Sequence, residues 1–385
     1  MDGMRLNRPL HFRLLTLCVS LLLVGALVGV APVAAAGAVS GVDDASPPDR
    51  SFGVDDAAAS ADDADFPVTL TDATGTEVTI EERPERVTTT NPSAAQIMWE
   101  LGAEDQVVGL TQFAHYLENA ETRENVSSTE LGVSVERVVG TEPDLVLAPN
   151  ATGTETVETL RDAGLTVYHF SSATDFEDVA EKTTTTGQLT GNAEAAAETN
   201  DWMWANVEAI ESLTADAEEP EPRVMYPLLG GFGVGGETFI HEIIVASGGE
   251  NVVADEFNGY QVVSDEVVLE LDPEVLIVTD QTEGQIVENE PYSLTTAAQT
   301  DRIAFLEVSY LNQAAPRSVV YSTRNLSAQL HPDLIDEPSA VADAAESEQS
   351  DDVSVSTPGF GPVAALVALV SLIAFAVIPR RRDTD

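Results

Sequence analysis

The chain has 385 residues, of which 17 are Lys or Arg and 66 are Asp or Glu, giving a net charge of −49 at pH 7. With a single lysine, Lys182, it lacks the clustered cations that neutralise nucleic-acid phosphates or an anionic membrane surface, and both partners are excluded. Hydrophobic residues make up 43% of it, enough to bury a core, so the charge reads as the acidic surface of a folded halophile protein in molar salt, where the Debye length falls to ~3 Å.

Arg5, Arg8 and Arg13 precede an uncharged apolar run from Leu14 to Val30, then Pro32 and Ala34-Ala35-Ala36. This pattern predicts a secretory signal peptide over residues 1–36, with a retained signal anchor as the alternative. The single cysteine, Cys18, lies inside the apolar run, forms no internal disulfide and is poorly placed for bacterial-type lipidation. Residues 37–65 hold eight Asp, one Arg and two copies of Gly-Val-Asp-Asp-Ala, and read as a solvated spacer.

Residues 66–335 carry 48 acidic and 10 basic side chains, so most of the charge belongs to the folded part. Strand-length apolar runs at Val107–Leu110, Leu145–Ala148, Thr166–Phe170, Val224–Leu229 and Val275–Thr279 alternate with helical patterns, which predicts an α/β fold with largely parallel sheets. Between the two groups of runs, Gly191 to Ala217 encloses no glycine or proline, and Met203, Val207, Ile210 and Leu213 recur at helical spacing. The resulting division is an N-terminal lobe over 66–186, a linking helix over 187–219 and a C-terminal lobe over 220–335.

The two halves share a pattern. Ser134-Val135-Glu136-Arg137-Val138-Val139 leads to Pro143-Asp144-Leu145-Val146-Leu147, and Ser264-Asp265-Glu266-Val267-Val268-Leu269 leads to Pro273-Glu274-Val275-Leu276-Ile277. Leu101-Gly102-Ala103-Glu104 is echoed by Ser247-Gly248-Gly249-Glu250. Each unit reads as a serine N-cap, a short helix, a proline stop and a buried strand. Glu136 and Glu266 are first-turn charges on helix dipoles, or matched contacts for a roughly symmetric partner. Two similar lobes enclose a cleft, where ligands bind.

Residues 336–357 form a second acidic spacer with seven carboxylates and no base. Gly361–Pro379 is 19 residues without charge, enough to cross a ~30 Å hydrocarbon core, and Arg380-Arg381-Arg382 follows on what the positive-inside rule makes the cytoplasmic side. With Pro358-Gly359-Phe360 in front, the ending over 358–385 resembles the PGF-CTERM signal of archaeal surface proteins. That resemblance implies processing by an archaeosortase and lipid attachment at the outer face of the cell membrane; a permanent membrane helix is the alternative.

The core also resembles the substrate-binding proteins of ABC importers for cobalamin, ferric siderophores and haem, closest to the cobalamin-binding members. The matching stretches are Arg83-Pro84-Glu85-Arg86-Val87, Asn91-Pro92-Ser93, Leu101-Gly102-Ala103, Val135-Glu136-Arg137-Val138-Val139, Gly236 through Ile240, Ser247-Gly248-Gly249-Glu250-Asn251-Val252, Val263-Ser264-Asp265-Glu266 and Pro316-Arg317-Ser318. The resemblance implies two α/β lobes with mainly parallel sheets, one long rigid joining helix, modest hinge motion and a ligand in the interlobe cleft. It implies that Glu136 and Glu266 pair with arginines on the two permease subunits. It sets Phe113 and Tyr260 against a corrin ring and borders the cleft with Tyr116, Tyr226, Phe232 and Arg317, packing inside a lobe being the alternative for each aromatic. Glu130 and Pro149 or Asn150 stand where cobalamin binders carry further aromatics, which leaves a siderophore or haem open.

Other signals carry less. Gly231-Phe232-Gly233-Val234-Gly235-Gly236 fits a dinucleotide-binding pattern, but it is a lone match that the resemblance explains as a cleft loop. His115, His169, His241 and His331 lack metal-ligand spacing; His115 reads as a surface histidine, with ligation of a bound cobalt or iron as the alternative. No G-x-S-x-G or cysteine nucleophile is present, and Asn125, Asn150 and Asn325 begin glycosylation sequons. The expectation is a non-enzymatic extracellular receptor that hands cobalamin to a permease dimer with its ATPase subunits, cobalamin being cargo and no resident cofactor being needed. A surface structural protein and an extracellular oxidoreductase are the readings from other classes.

Overall fold

The structure, a computed structural model, describes residues 66–129, 132–215 and 220–334. The signal peptide, both acidic spacers, the PGF ending and Glu130 lie outside the described residues. Among those described, no helix is long and apolar enough to cross a membrane.

An antiparallel hairpin of β1 (Val68–Thr71) and β2 (Glu77–Ile80) opens the described part. β3 (Val87–Thr89), α1 (Pro92–Glu100), β4 (Val107–Leu110), β5 (Glu124–Asn125), α2 (Val135–Gly140), β6 (Leu145–Ala148), α3 (Thr154–Asp162) and β7 (Val167–His169) follow. Their strands form one parallel sheet in the order β5-β4-β3-β6-β7. Helices α4 (Phe176–Thr190) and α5 (Ala193–Ala215) then lead into the second half. There β8 (Arg223–Met225), β9 (Phe232–Val234), α6 (Phe239–Ala246), β10 (Glu250–Asn251), β11 (Tyr260–Val262), α7 (Asp265–Leu271), β12 (Val275–Val278), α8 (Glu283–Ile286), α9 (Thr296–Gln299), β13 (Ile303–Phe305), α10 (Val308–Leu311) and α11 (Pro316–Leu330) succeed one another. The second parallel sheet runs β10-β8-β12-β13, and β9 pairs with β11 in a separate antiparallel ribbon.

All four residues of β6 and of β12 are buried, as expected for inner strands covered on both faces. Ile97, Met98, Leu145 and Leu147 are fully buried in the first lobe and Ile243, Leu276 and Ile277 in the second, each worth roughly 1.5–3 kcal/mol against exposure. Both sheets belong to one compact unit that starts at Phe66. The 23 residues of α5 extend for about 35 Å. Its Ala196 packs into the core of the first lobe, and its Met203 and Val207 into that of the second.

The internal repeat is structural. In order and direction β4-β3-β6-β7 superposes on β10-β8-β12-β13. Ser134 and Ser264 cap α2 and α7, accepting from Arg137 N at 3.4 Å and Val267 N at 3.3 Å. Each helix is followed by a residue in the left-handed region, Glu142 at φ 47 and Asp272 at φ 37, and then by its proline. Arg86 Nε donates to the Glu142 carbonyl at 2.8 Å, and Arg223 Nη1 donates to the Asp272 carbonyl at 3.3 Å. In return the Asp144 carboxylate accepts from Arg86 N at 2.9 Å, and that of Glu274 from Arg223 N at 3.2 Å.

The glycine-rich run is not a phosphate loop, because Phe232–Val234 is itself strand β9. A Cβ on Gly233 would stand 2.6 Å from Val263, and one on Gly235 would stand 2.1 Å from the Phe257 carbonyl oxygen. Close packing of the ribbon accounts for these glycines.

Candidate functional site

In open parallel sheets ligands bind beyond the carboxyl ends of the strands. Thr111 follows the carboxyl end of β4 and leads into a turn of 3₁₀ helix over Gln112–Ala114, which holds the Phe113 ring 57% exposed. Tyr226 follows β8, and Asp280 lies just past β12. Tyr226 shares a side-chain hydrogen bond with Asn312 and lies within electrostatic range of Tyr260 and Asp280, so these four groups gather at the carboxyl edge of the second sheet. Burial raises the Tyr226 phenol and pushes that of Tyr260 up to about 12, keeping both neutral.

The expected ligand side chains differ in availability. Phe113 is exposed; Phe232 and Tyr260 are half-buried on the β9–β11 ribbon, where Phe232 stands opposite Val262 and Tyr260 opposite Val234. Tyr226 is only 1% exposed and belongs to the core of the second lobe. Tyr116 is half-buried, with its edge on Tyr310 at 5.6 Å between ring centroids, and Tyr310 stacks on Tyr321 at 4.3 Å. His115 is exposed beside Phe113. Glu136 and Glu266 are exposed at equivalent places on α2 and α7. Among the sequons, Asn150 is exposed, whereas Asn125 and Asn325 are half-buried with their amides engaged by Ser127 N and the Tyr321 carbonyl.

Arg317 and Tyr116 meet in a buried polar network that the sequence did not announce. Asn91 caps α1, accepting from Ser93 N at 3.0 Å and from Ser93 Oγ at 2.9 Å. Ser93 Oγ accepts from Lys182 Nζ at 2.7 Å, and Lys182 also donates to the Ala314 carbonyl at 3.1 Å. Gln96 Nε2 donates to Glu100 Oε1 at 2.8 Å and to Ser318 Oγ at 3.1 Å, while Gln96 Oε1 accepts from the Tyr116 hydroxyl at 2.7 Å. Arg317 N donates to Glu100 Oε2 at 3.2 Å. Helix α1 of the first lobe and α4, which packs Leu189 into the first core and Phe176, Val179 and Ala180 into the second, are thereby joined to the start of α11. Burial pushes Glu100 up to about 7 against the opposing pull of Arg317 and Gln96, and it pushes Lys182 down to about 7 against that of Glu100. The clues in the sequence were the lone lysine, Lys182, and two polar side chains four apart on α1, Gln96 and Glu100.

Two hollows lie elsewhere. A polar cavity of about 180 Å³ is lined by Asp72, His169 and Lys182, and Arg161 pairs with the buried Asp72 beside it. An open groove of about 730 Å³ runs along α4 and α5 past Glu177, Asp201 and Trp204. None of the expected ligand residues lines either one. Among the described residues no three His, Cys, Asp or Glu gather so as to hold a metal ion.

A profile of the periplasmic binding protein family matches residues 87–310. The cobalamin-binding protein of Halobacterium salinarum is 44% identical over 275 residues, which cover 68% of this chain and 74% of that one. The vitamin B12-binding protein of Yersinia pestis is 24% identical over 247 residues, 64% of this chain and 86% of that one. Of solved structures, the periplasmic heme-binding protein RhuT from Roseiflexus sp. RS-1 is similar with a TM-score of 0.57 at 25% identity, covering 68% of this chain and 99% of that one. The heme-binding protein HmuT shares the fold with a TM-score of 0.61 at 21% identity, covering 70% of this chain and 92% of that one.

Proposed function

The chain belongs to the periplasmic binding protein family, and we propose that it captures cobalamin outside the cell and delivers it to the permease of an ABC importer. The observation that carries this reading is the 44% identity over 275 residues with a cobalamin-binding protein. Proteins of this class bind and release cargo and work with a permease and its ATPase.

Phe113 forms one wall of the cleft, and Phe232 and Tyr260 form the other, offering flat apolar faces that bury a macrocycle with little loss of side-chain entropy. Tyr226 supports Tyr260 from behind, and Tyr116 and Arg317 belong to the polar floor that ties the lobes together. Glu136 and Glu266 dock the loaded receptor, one to each permease subunit. The signal peptide exports the chain, and the PGF ending, processed by an archaeosortase, tethers it to the outer face of the membrane. The acidic surface keeps it hydrated in strong salt.

Calorimetric titration of the purified chain with cyanocobalamin in molar KCl tests the reading, and saturable binding of one cobalamin per chain is expected. A second reading, haem as cargo, is favoured by the likeness to RhuT at 25% identity. Saturable haemin binding without cobalamin binding would replace the first reading by the second.

A further inference from the structure

Glu136 and Glu266 are two of 48 carboxylates in residues 66–335, so charge alone does not single out their helices for a partner. Exposed apolar side chains at matched positions of the repeat do. Val139 on α2 is 38% exposed and Leu269 on α7 is 42% exposed, among few large hydrophobic side chains left open to solvent in the described residues. They occupy the same position of the internal repeat, each three residues after its glutamate and so on the same helix face. The preceding residues, Val138 and Val268, are wholly buried and fix the rotation of each helix. Serine caps in front and arginine-clamped left-handed residues behind hold the two helices alike.

We propose that Val139 and Leu269, together with Glu136 and Glu266, form two equivalent contacts for a pair of equivalent permease subunits, each presenting an apolar socket beside a basic side chain. The proposal rests on the docking reading given above and extends it. An exposed ion pair is weak and is screened beyond ~3 Å in molar salt. An apolar contact is not screened, so Val139 and Leu269 carry the part of the affinity that survives strong salt. The internal repeat supplies the matching symmetry, because the two contacts sit on corresponding helices of the two lobes.

The test compares full-length Val139→Ser/Leu269→Ser and Glu136→Gln/Glu266→Gln with the unaltered chain. Binding to the cognate permease–ATPase complex in nanodiscs is measured in about 1 M and about 3 M KCl, and cyanocobalamin titration of each variant checks folding and cargo binding. The serine pair is expected to weaken docking roughly ten-fold at both salt concentrations with cobalamin affinity unchanged, each single serine variant causing a similar part of the loss. Val139→Leu is expected to retain docking. Unaltered docking of the serine pair alongside impaired docking of the glutamine pair would overturn the inference and leave the docking reading standing. Unaltered docking of both pairs would overturn both.

Discussion

Arg317 and Glu100 meet between the two lobes, with Arg317 N donating to Glu100 Oε2 at 3.2 Å and the guanidinium Nε 3.7 Å from Oε1. The Glu100 side chain is 2% exposed, so the arginine is the charge that compensates it most. Arg317→Ala is expected to lower the unfolding free energy by roughly 2–4 kcal/mol, as when one partner of a buried pair is removed. The loss should be larger at pH 8 than at pH 5, since Glu100, pushed up to about 7, is ionised at the first and protonated at the second. Urea denaturation at both pH values checks this, and an equal loss at the two would count against it.

Glu100 and Lys182 titrate in opposite senses. Glu100 rises from 4.5 to about 7, so between those values the folded chain keeps a proton that the unfolded chain has released, and stability falls as pH rises. Lys182 drops from 10.5 to about 7, so above pH 7 the unfolded chain keeps a proton that the folded chain has released, and stability rises again. Together the two groups impose a stability minimum near pH 7, a few kcal/mol deep, because moving a titration midpoint by a single pH unit corresponds to about 1.4 kcal/mol. In Glu100→Gln/Lys182→Met that minimum should vanish. The difference in urea midpoint between variant and parent should favour the variant most near pH 7 and shrink toward pH 5 and pH 9.

Continuous apolar runs made β4, β6 and β12 legible from the sequence, and unbroken helical spacing made α5 legible, although residues 187–190, assigned to the same helix, end α4 instead. Strand β3 was not legible, because with Thr88 and Thr89 it holds no continuous apolar run. The glycine run concealed β9, whose strand character depends on a ribbon partner nearly thirty residues later. The matched pair Glu136 and Glu266 was visible because repetition exposed it. Lys182 stood out as the lone lysine, but its partners Ser93 and Ala314 lie 89 and 132 residues away, and only folding brings them to it. Exposure was the least legible property, since nothing local distinguishes Tyr226, sealed in a core, from Phe113, open to solvent.

That contrast gives a separable pair of outcomes. Phe113→Ala removes an exposed ring, so stability should change by no more than about 0.5 kcal/mol while cobalamin affinity falls roughly ten-fold. Tyr226→Ala empties a core position and should cost about 3–5 kcal/mol of stability, whereas Tyr226→Phe loses only the hydrogen bond with Asn312, about 0.5–1.5 kcal/mol. Thermal melts and calorimetric titration read the two effects independently. Strong destabilisation by Phe113→Ala would show that its ring is a packing element.

Glu142 and Asp272 hold the same left-handed turn after α2 and α7, yet their side chains differ in use. A residue other than glycine pays about 1–2 kcal/mol for that conformation, partly offset by the extra freedom glycine has in the unfolded chain. Glu142 is exposed, and its backbone carbonyl, which accepts from Arg86, survives substitution. Glu142→Gly should therefore stabilise the chain by about 0.5–1 kcal/mol. Asp272 accepts from Thr296 N at 2.7 Å and from Thr296 Oγ1 at 2.8 Å, anchoring the start of α9. Asp272→Gly gains the same backbone relief but loses both bonds, each worth about 0.5–1.5 kcal/mol or more because the acceptor is charged, so it should be destabilising. Opposite signs from one substitution type at two equivalent turns, measured as urea midpoints, separate the backbone contribution from that of the side chain. Equal shifts of one sign would mean that Asp272 does not anchor α9.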